Sequence, residues 1–115
     1  MKIEDKYIRL AEKEASNAAF AFLPKSSERP TSIDALSYCA TKFIQYLQQD
    51  IAMRLTGGNV VDAFQLQFPL QKRFVRAFLK ATNAEAERIG LRVCFVDVTF
   101  PGGAIKLQAK FEDEK

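Results

Sequence analysis

The segment from Leu91 to Phe111 constrains this chain more than any other. It reads LRVCFVDVTF, then PGG, then AIKLQAKF. β-Branched and aromatic residues fill the first run, 91–100, the strongest strand signal in the chain. Leu91, Val93 and Phe95 fall on one face, and Cys94, Val96, Val98 and Phe100 on the other. Pro101-Gly102-Gly103 marks a turn. In the return run, 104–111, Ile105, Leu107, Ala109 and Phe111 alternate with Lys106, Gln108 and Lys110, so one face is apolar and the other wet. The lysines also suit an exposed edge, where charge discourages unwanted strand pairing. A two-stranded hairpin is marginal by itself. The rest of the chain must therefore cover it. A strand that is apolar on both faces is expected at the centre of a sheet, or with its second face against a partner.

Two helices come first. Between residues 3 and about 22, Ile8, Ala11, Ala15, Ala18, Ala19 and Phe22 recur at i, i+3, i+4 spacing, and Ile3, Tyr7 and Leu10 widen the face. Pro24 ends the pattern, and PKSSERP (24–30) is a polar loop framed by prolines. Thr31 suits an N-cap, with Asp34 in the capping-box position. Leu36, Cys39, Ala40, Phe43, Leu47 and Ile51 form a core face that Ile44, Met53 and Leu55 broaden toward a second layer. Gly57-Gly58-Asn59 stops this helix, with one of the glycines as its left-handed C′ residue.

Residues 60–68, VVDAFQLQF, admit two readings. Asp62, Phe64, Leu66 and Phe68 alternate with Ala63, Gln65 and Gln67, the period of a half-buried strand. A short helix capped by Asn59, with Val60, Val61, Phe64 and Phe68 on one side, is the alternative. With the strand taken, Pro69 opens a helix that runs to Ile89 with Gly90 as its cap. Leu70, Phe74, Ala77, Phe78 and Ala81 share an arc of roughly 100° on its wheel. Past Ala81 this face weakens, because Glu85 and Arg88 land on it, spaced to pair with each other. The last two turns are therefore expected to overhang the core or to be partly exposed. The expectation is one α+β domain over residues 1–115: two N-terminal helices, then β-α-β-β, with a small, mostly antiparallel three-stranded sheet covered by helices. If strand 60–68 ran parallel to strand 91–100, the crossover between them would be right-handed.

Composition narrows the function classes. A chain of 115 residues can bury one core without staples. No apolar run approaches the ~18 residues of a membrane span. The start, MKIEDKYIRL, is charged throughout and lacks a signal-peptide core. A cytoplasmic protein without membrane contact is the expectation. With no histidine and two cysteines, the chain cannot close a structural zinc site. Cys39 and Cys94 each sit among apolar residues and read as buried free thiols.

The net charge of +3 is concentrated. Residues 1–14 carry four bases and four acids, and residues 112–115 carry two net negative charges. Residues 69–80 carry Lys72, Arg73, Arg76 and Lys80 with no acid. Those four fall within an arc of roughly 100°, opposite the apolar face. Were the helix to start at Pro69, Lys72 and Arg73 would stand near its positive end, where a cation forfeits about 0.3–1 kcal/mol. That placement argues for an external anion, although pairing with acids elsewhere, the Glu112-Asp113-Glu114 tail among them, would also account for it.

Other chemistry-bearing residues are weaker candidates. TGGN (56–59) and PGGAIK (101–106) lack P-loop spacing and read as a helix cap and a hairpin turn. Asp97 would serve as an acid or base only if its strand buried it, and it shares a side with Thr99, which fits an end that reaches solvent. Asp62 is equally ambiguous. A nucleophilic thiol would need an activating base, and no histidine exists to supply one. No cofactor motif is present. The expectation is a small non-enzymatic protein that works by contact with another protein, as an inhibitor, immunity factor or adaptor does. Lys72, Arg73, Arg76 and Lys80 would face an acidic surface on that partner. The alternative is an accessory protein that binds nucleic acid by setting the same four residues on backbone phosphates. If the three helices leave part of the sheet uncovered, a two-fold homodimer is the commonest remedy.

Overall fold

The computed structural model describes residues 2–22 and 33–112. It contains α1 (Ile3–Phe22), α2 (Ile33–Leu55), α3 (Val60–Arg88), β1 (Val93–Asp97) and β2 (Leu107–Phe111). The 24–30 loop and the Thr31 cap lie outside the described residues, as do residues 113–115. Among the described residues no helix is long and apolar enough to cross a membrane.

The expected three-stranded sheet and β-α-β-β order are not what the chain adopts. There is one two-stranded antiparallel sheet, β1 against β2, and residues 60–68 are the opening turns of α3. Two local features favour the helix, and packing across the chain decides it. The Asn59 side chain accepts a hydrogen bond from the Asp62 N–H at 3.0 Å, closing an N-cap. Asp62 places an acid in the first turn, where the helix end is positive. Ala63, Leu66 and Leu70 are buried at helical spacing and run on into Phe74 and Ala77, so one apolar stripe crosses Pro69 without a break. Pro69 consequently lies inside the helix, not at its first turn. A proline there removes one intrahelical hydrogen bond.

α1 packs against α3 and α2. Its central residues are Tyr7, Ala11 and Ala15, all fully buried at four-residue steps. The small alanines let the helices approach, and the Tyr7 ring lies 4.9 Å from that of Phe74. α2 touches two layers, as its broad apolar surface requires: Leu36, Ala40, Ile44, Leu47 and Ile51 are buried in the common core. The helix ends are conventional. Gly57 stands at φ +67°, and the Gly58 N–H bonds the Met53 carbonyl at 2.8 Å. At the end of α3, Gly90 stands at φ +78°, with Leu91 N–H on the Ala86 carbonyl and Gly90 N–H on the Glu87 carbonyl. That is the paired bonding of a Schellman cap.

The hairpin pairs Val93 with Phe111 and Asp97 with Leu107. Its inner face, Val93, Phe95, Ile105, Leu107 and Ala109, is buried on the helices. A Gly103 N–H to Phe100 carbonyl bond of 2.9 Å, with Gly102 at φ +75°, closes the Phe100–Gly103 turn. Proline followed by left-handed glycine suits a type II turn.

The last turns of α3 are partly exposed but do not overhang the core. Thr82 and Ala86 are fully buried, because the buried arc shifts around the helix to meet β1. Glu85 and Arg88 do pair, with Arg88 Nε and Nη2 at 3.0 and 2.8 Å from Glu85 Oε2.

Candidate binding surface

Polar side chains on the helices complete both edges of the hairpin. On the β1 edge, Asn83 of α3 donates from Nδ2 to the Phe95 carbonyl at 3.1 Å and accepts the Phe95 N–H on Oδ1 at 2.8 Å. On the β2 edge, Ser37, Thr41 and Gln45 stand at successive i+4 positions of α2. Ser37 Oγ accepts the Ala109 N–H at 2.8 Å. Thr41 Oγ1 accepts the Leu107 N–H at 2.9 Å and donates back to the Leu107 carbonyl at 3.0 Å. Gln45 Nε2 donates to the Ile105 carbonyl at 2.7 Å. These groups do the work of neighbouring strands at Phe95, Ile105, Leu107 and Ala109. Ser37, Thr41 and Gln45 also line a groove between α2 and the hairpin's outer face, beside Tyr38, Lys42 and Phe100. Each of the three already makes at least one hydrogen bond to the hairpin backbone.

α3 carries a second apolar stripe. Val60, Phe64, Phe68, Gln71, Val75, Phe78, Thr82 and Ala86 follow one another at three- and four-residue steps, one continuous row of a helix. From Val75 onward the row is buried, where α3 runs beside β1. Gln71 marks the boundary: its Nε2 reaches the Gly103 carbonyl at 3.5 Å, at the hairpin tip. Beyond the tip no described residue buries the row. Phe64 is 67% exposed and Phe68 72%, with Val60 and Val61 exposed beside them. Their rings are stacked, with centroids 6.1 Å apart. Phe64 and Phe68 line a cleft with Pro69, Gln71, Lys72 and the Gly102–Ala104 tip. An adjoining cleft shares Gln71, Lys72 and Gly102 and adds Phe100, itself 75% exposed. By contrast Phe74, Phe78 and Phe95 are wholly or almost wholly buried.

The four basic residues separate into two groups. All are exposed, and none forms an ion pair with a described residue. Lys72 borders the aromatic cleft. Arg73, Arg76 and Lys80 lie farther round α3 and line a shallow depression with Ile8 and Glu12 of α1. Because α3 begins at Val60, Lys72 and Arg73 are mid-helix, and the argument from a misplaced cation at a helix start no longer applies. Glu112 does not reach them: its N–H bonds the Arg92 carbonyl at the other end of the hairpin.

The remaining candidates resolve simply. Asp97 is exposed, and its carboxylate accepts the Thr99 N–H at 2.9 Å. Asp62 is an exposed first-turn acid. Cys39 and Cys94 are free thiols but are not buried: Cys39 is exposed and Cys94 half-buried on the outer sheet face. Among the described residues no group of three or more acids or cysteines could hold a metal ion. Sequence reasoning placed Phe64 and Phe68 on the apolar side of a strand, although the alternative helix put them with Val60 and Val61 on one side, which is the arrangement found. Compared with known proteins, the chain matches no protein-family model, no curated protein and no solved structure.

Proposed function

We propose that this chain is a non-enzymatic binding protein, of the inhibitor, immunity or adaptor kind, that works through protein–protein contact centred on Phe64, Phe68 and Phe100. One observation carries the reading: three phenylalanines 67–75% exposed, grouped around one helix end and one hairpin tip. At 150–250 Å² per aromatic side chain they leave about 400 Å² of ring in water. Contiguous apolar patches of that size on a folded chain mark interaction sites, and phenylalanine is enriched at the centres of interfaces. The engagement of Ser37, Thr41, Gln45 and Asn83 with the hairpin backbone supports the same reading, since these polar groups are occupied in structure.

The test is a photo-crosslinking amino acid at position 68, with position 110 on the outer sheet face as control, in cells that carry the gene. A defined protein adduct at 68 and not at 110 is expected. Absence of any protein adduct at 64, 68 and 100 would overturn the reading.

Exposed aromatics next to Lys72 favour a second reading, nucleic-acid binding, in which bases stack on the rings while the cations neutralise phosphates. It is the weaker reading because Arg73, Arg76 and Lys80 lie apart from the rings, and a strand needs both along one track. Fluorescence anisotropy with mixed-sequence oligonucleotides decides it. Four phosphate contacts on duplex DNA give a log–log salt slope of about −3.6, and replacing Lys72, Arg73, Arg76 and Lys80 by Gln would abolish binding.

A further inference from the structure

We infer that the occupant of the Phe64–Phe68 face is a second copy of this chain, related by a two-fold axis passing close to those two rings. This inference rests on the reading that the face binds protein. Three features support self-pairing. First, the exposed half of the row is the unfinished continuation of a buried one. The hairpin covers α3 from Val75 to Ala86 and stops at Gln71, leaving Val60, Phe64 and Phe68 without the cover the same row has farther along. Second, the patch is nearly free of charge. In a two-fold interface every group meets the neighbourhood of its own copy, so a charged centre would set like against like. Here the centre holds Val60, Val61, Phe64, Phe68 and Pro69, Lys72 stands at the rim, and Arg73, Arg76 and Lys80 lie off it. An acidic partner would want those cations inside the patch. Third, the area is of the right order. The two rings supply about 280 Å², and the two valines, the glutamine stems and the hairpin tip with Phe100 bring the face toward the roughly 800 Å² per partner of a standard interface. In this arrangement the first three turns of α3 lie antiparallel to their copies, each Phe64 against the partner's Phe68.

Sedimentation equilibrium of the purified chain from about 1 µM to about 200 µM tests this directly. A reversible dimer is expected. Phe64→Ser/Phe68→Ser should weaken it by at least about tenfold, with an unchanged circular dichroism spectrum and melting temperature in dilute solution. Replacing Arg73, Arg76 and Lys80 by Gln should leave the dimer intact. If the double variant does not fold, Phe64→Lys alone takes its place, since that side chain is exposed and pairing would strip water from an ammonium set in an apolar contact. A monomer at every concentration overturns the inference, and so does a dimer indifferent to these changes. A monomeric chain whose position 68 crosslinks to a different protein overturns self-pairing and leaves the protein-binding reading standing. A monomer that gives no protein adduct removes both.

Discussion

The Asn83 side chain and the Phe95 backbone exchange two hydrogen bonds, at 3.1 and 2.8 Å, so that one helix residue completes the free edge of β1 as a third strand would. Thr41 does the same for Leu107 on the other strand. A lone hairpin is thus converted into the middle of a closed arrangement without a third strand.

That arrangement makes Asn83→Ala and Thr41→Val destabilising. Each leaves a part-buried N–H and carbonyl without partners, at a cost of about 1–3 kcal/mol. The cost should appear as a lower urea midpoint with an unchanged slope. Thr41→Val preserves shape, so its loss isolates the hydroxyl. An effect near zero for both variants would mean that water replaces the helix side chains at these edges.

Pro69→Ala should stabilise. The ring sits on an exposed surface in the middle of a continuous helix, where proline is about 3 kcal/mol worse than alanine. A gain of up to about 3 kcal/mol is expected, read as a higher melting temperature. A loss would show that the helix needs the break at this point.

Tyr7 sets an alkaline limit. Burial pushes its phenol well above the ordinary value of about 10, and the nearby Gln48 amide offsets this only in part. Both the hydroxyl and the Gln48 Nε2 are buried, and neither makes a hydrogen bond to a described residue. Folding therefore favours the neutral phenol. Its contribution is fully present below the unfolded value of about 10 and declines as pH rises from there toward the folded value. Stability measured by urea at successive pH values should fall above about pH 10, and Tyr7→Phe should remove that part of the fall. At neutral pH the same substitution should lie within about 1 kcal/mol of wild type, because no hydrogen bond is lost.

Phenylalanines five turns or less apart on α3 should behave oppositely. Phe78→Ala empties a fully buried site and should cost about 3–5 kcal/mol. Phe68→Ala, at low protein concentration, should fall within about 0.5 kcal/mol of wild type. Equal losses from the two would mean that Phe68 is covered within the monomer, and the binding surface proposed here would disappear.

Much of this protein is legible in its sequence. The Tyr7, Ala11 and Ala15 part of the α1 face, the Gly57 and Gly90 helix ends, the Glu85–Arg88 pair and the Pro101-Gly102-Gly103 turn all follow from interactions within a few residues, and local physics is readable locally. Residues 60–68 are different. Their apolar side chains satisfy both a two-residue and a 3.6-residue period, so pattern alone leaves strand and helix open. The choice falls to helix because the stripe Ala63–Leu66–Leu70 runs on into Phe74 and Ala77 against the other helices, which only packing across the chain can enforce. Likewise, the sequence by itself determined that Phe64, Phe68 and Phe100 are large and apolar. Whether they would be core or surface depended on how far the hairpin reaches along α3. It ends at Gln71, and tertiary structure alone decided that the rings beyond it face outward.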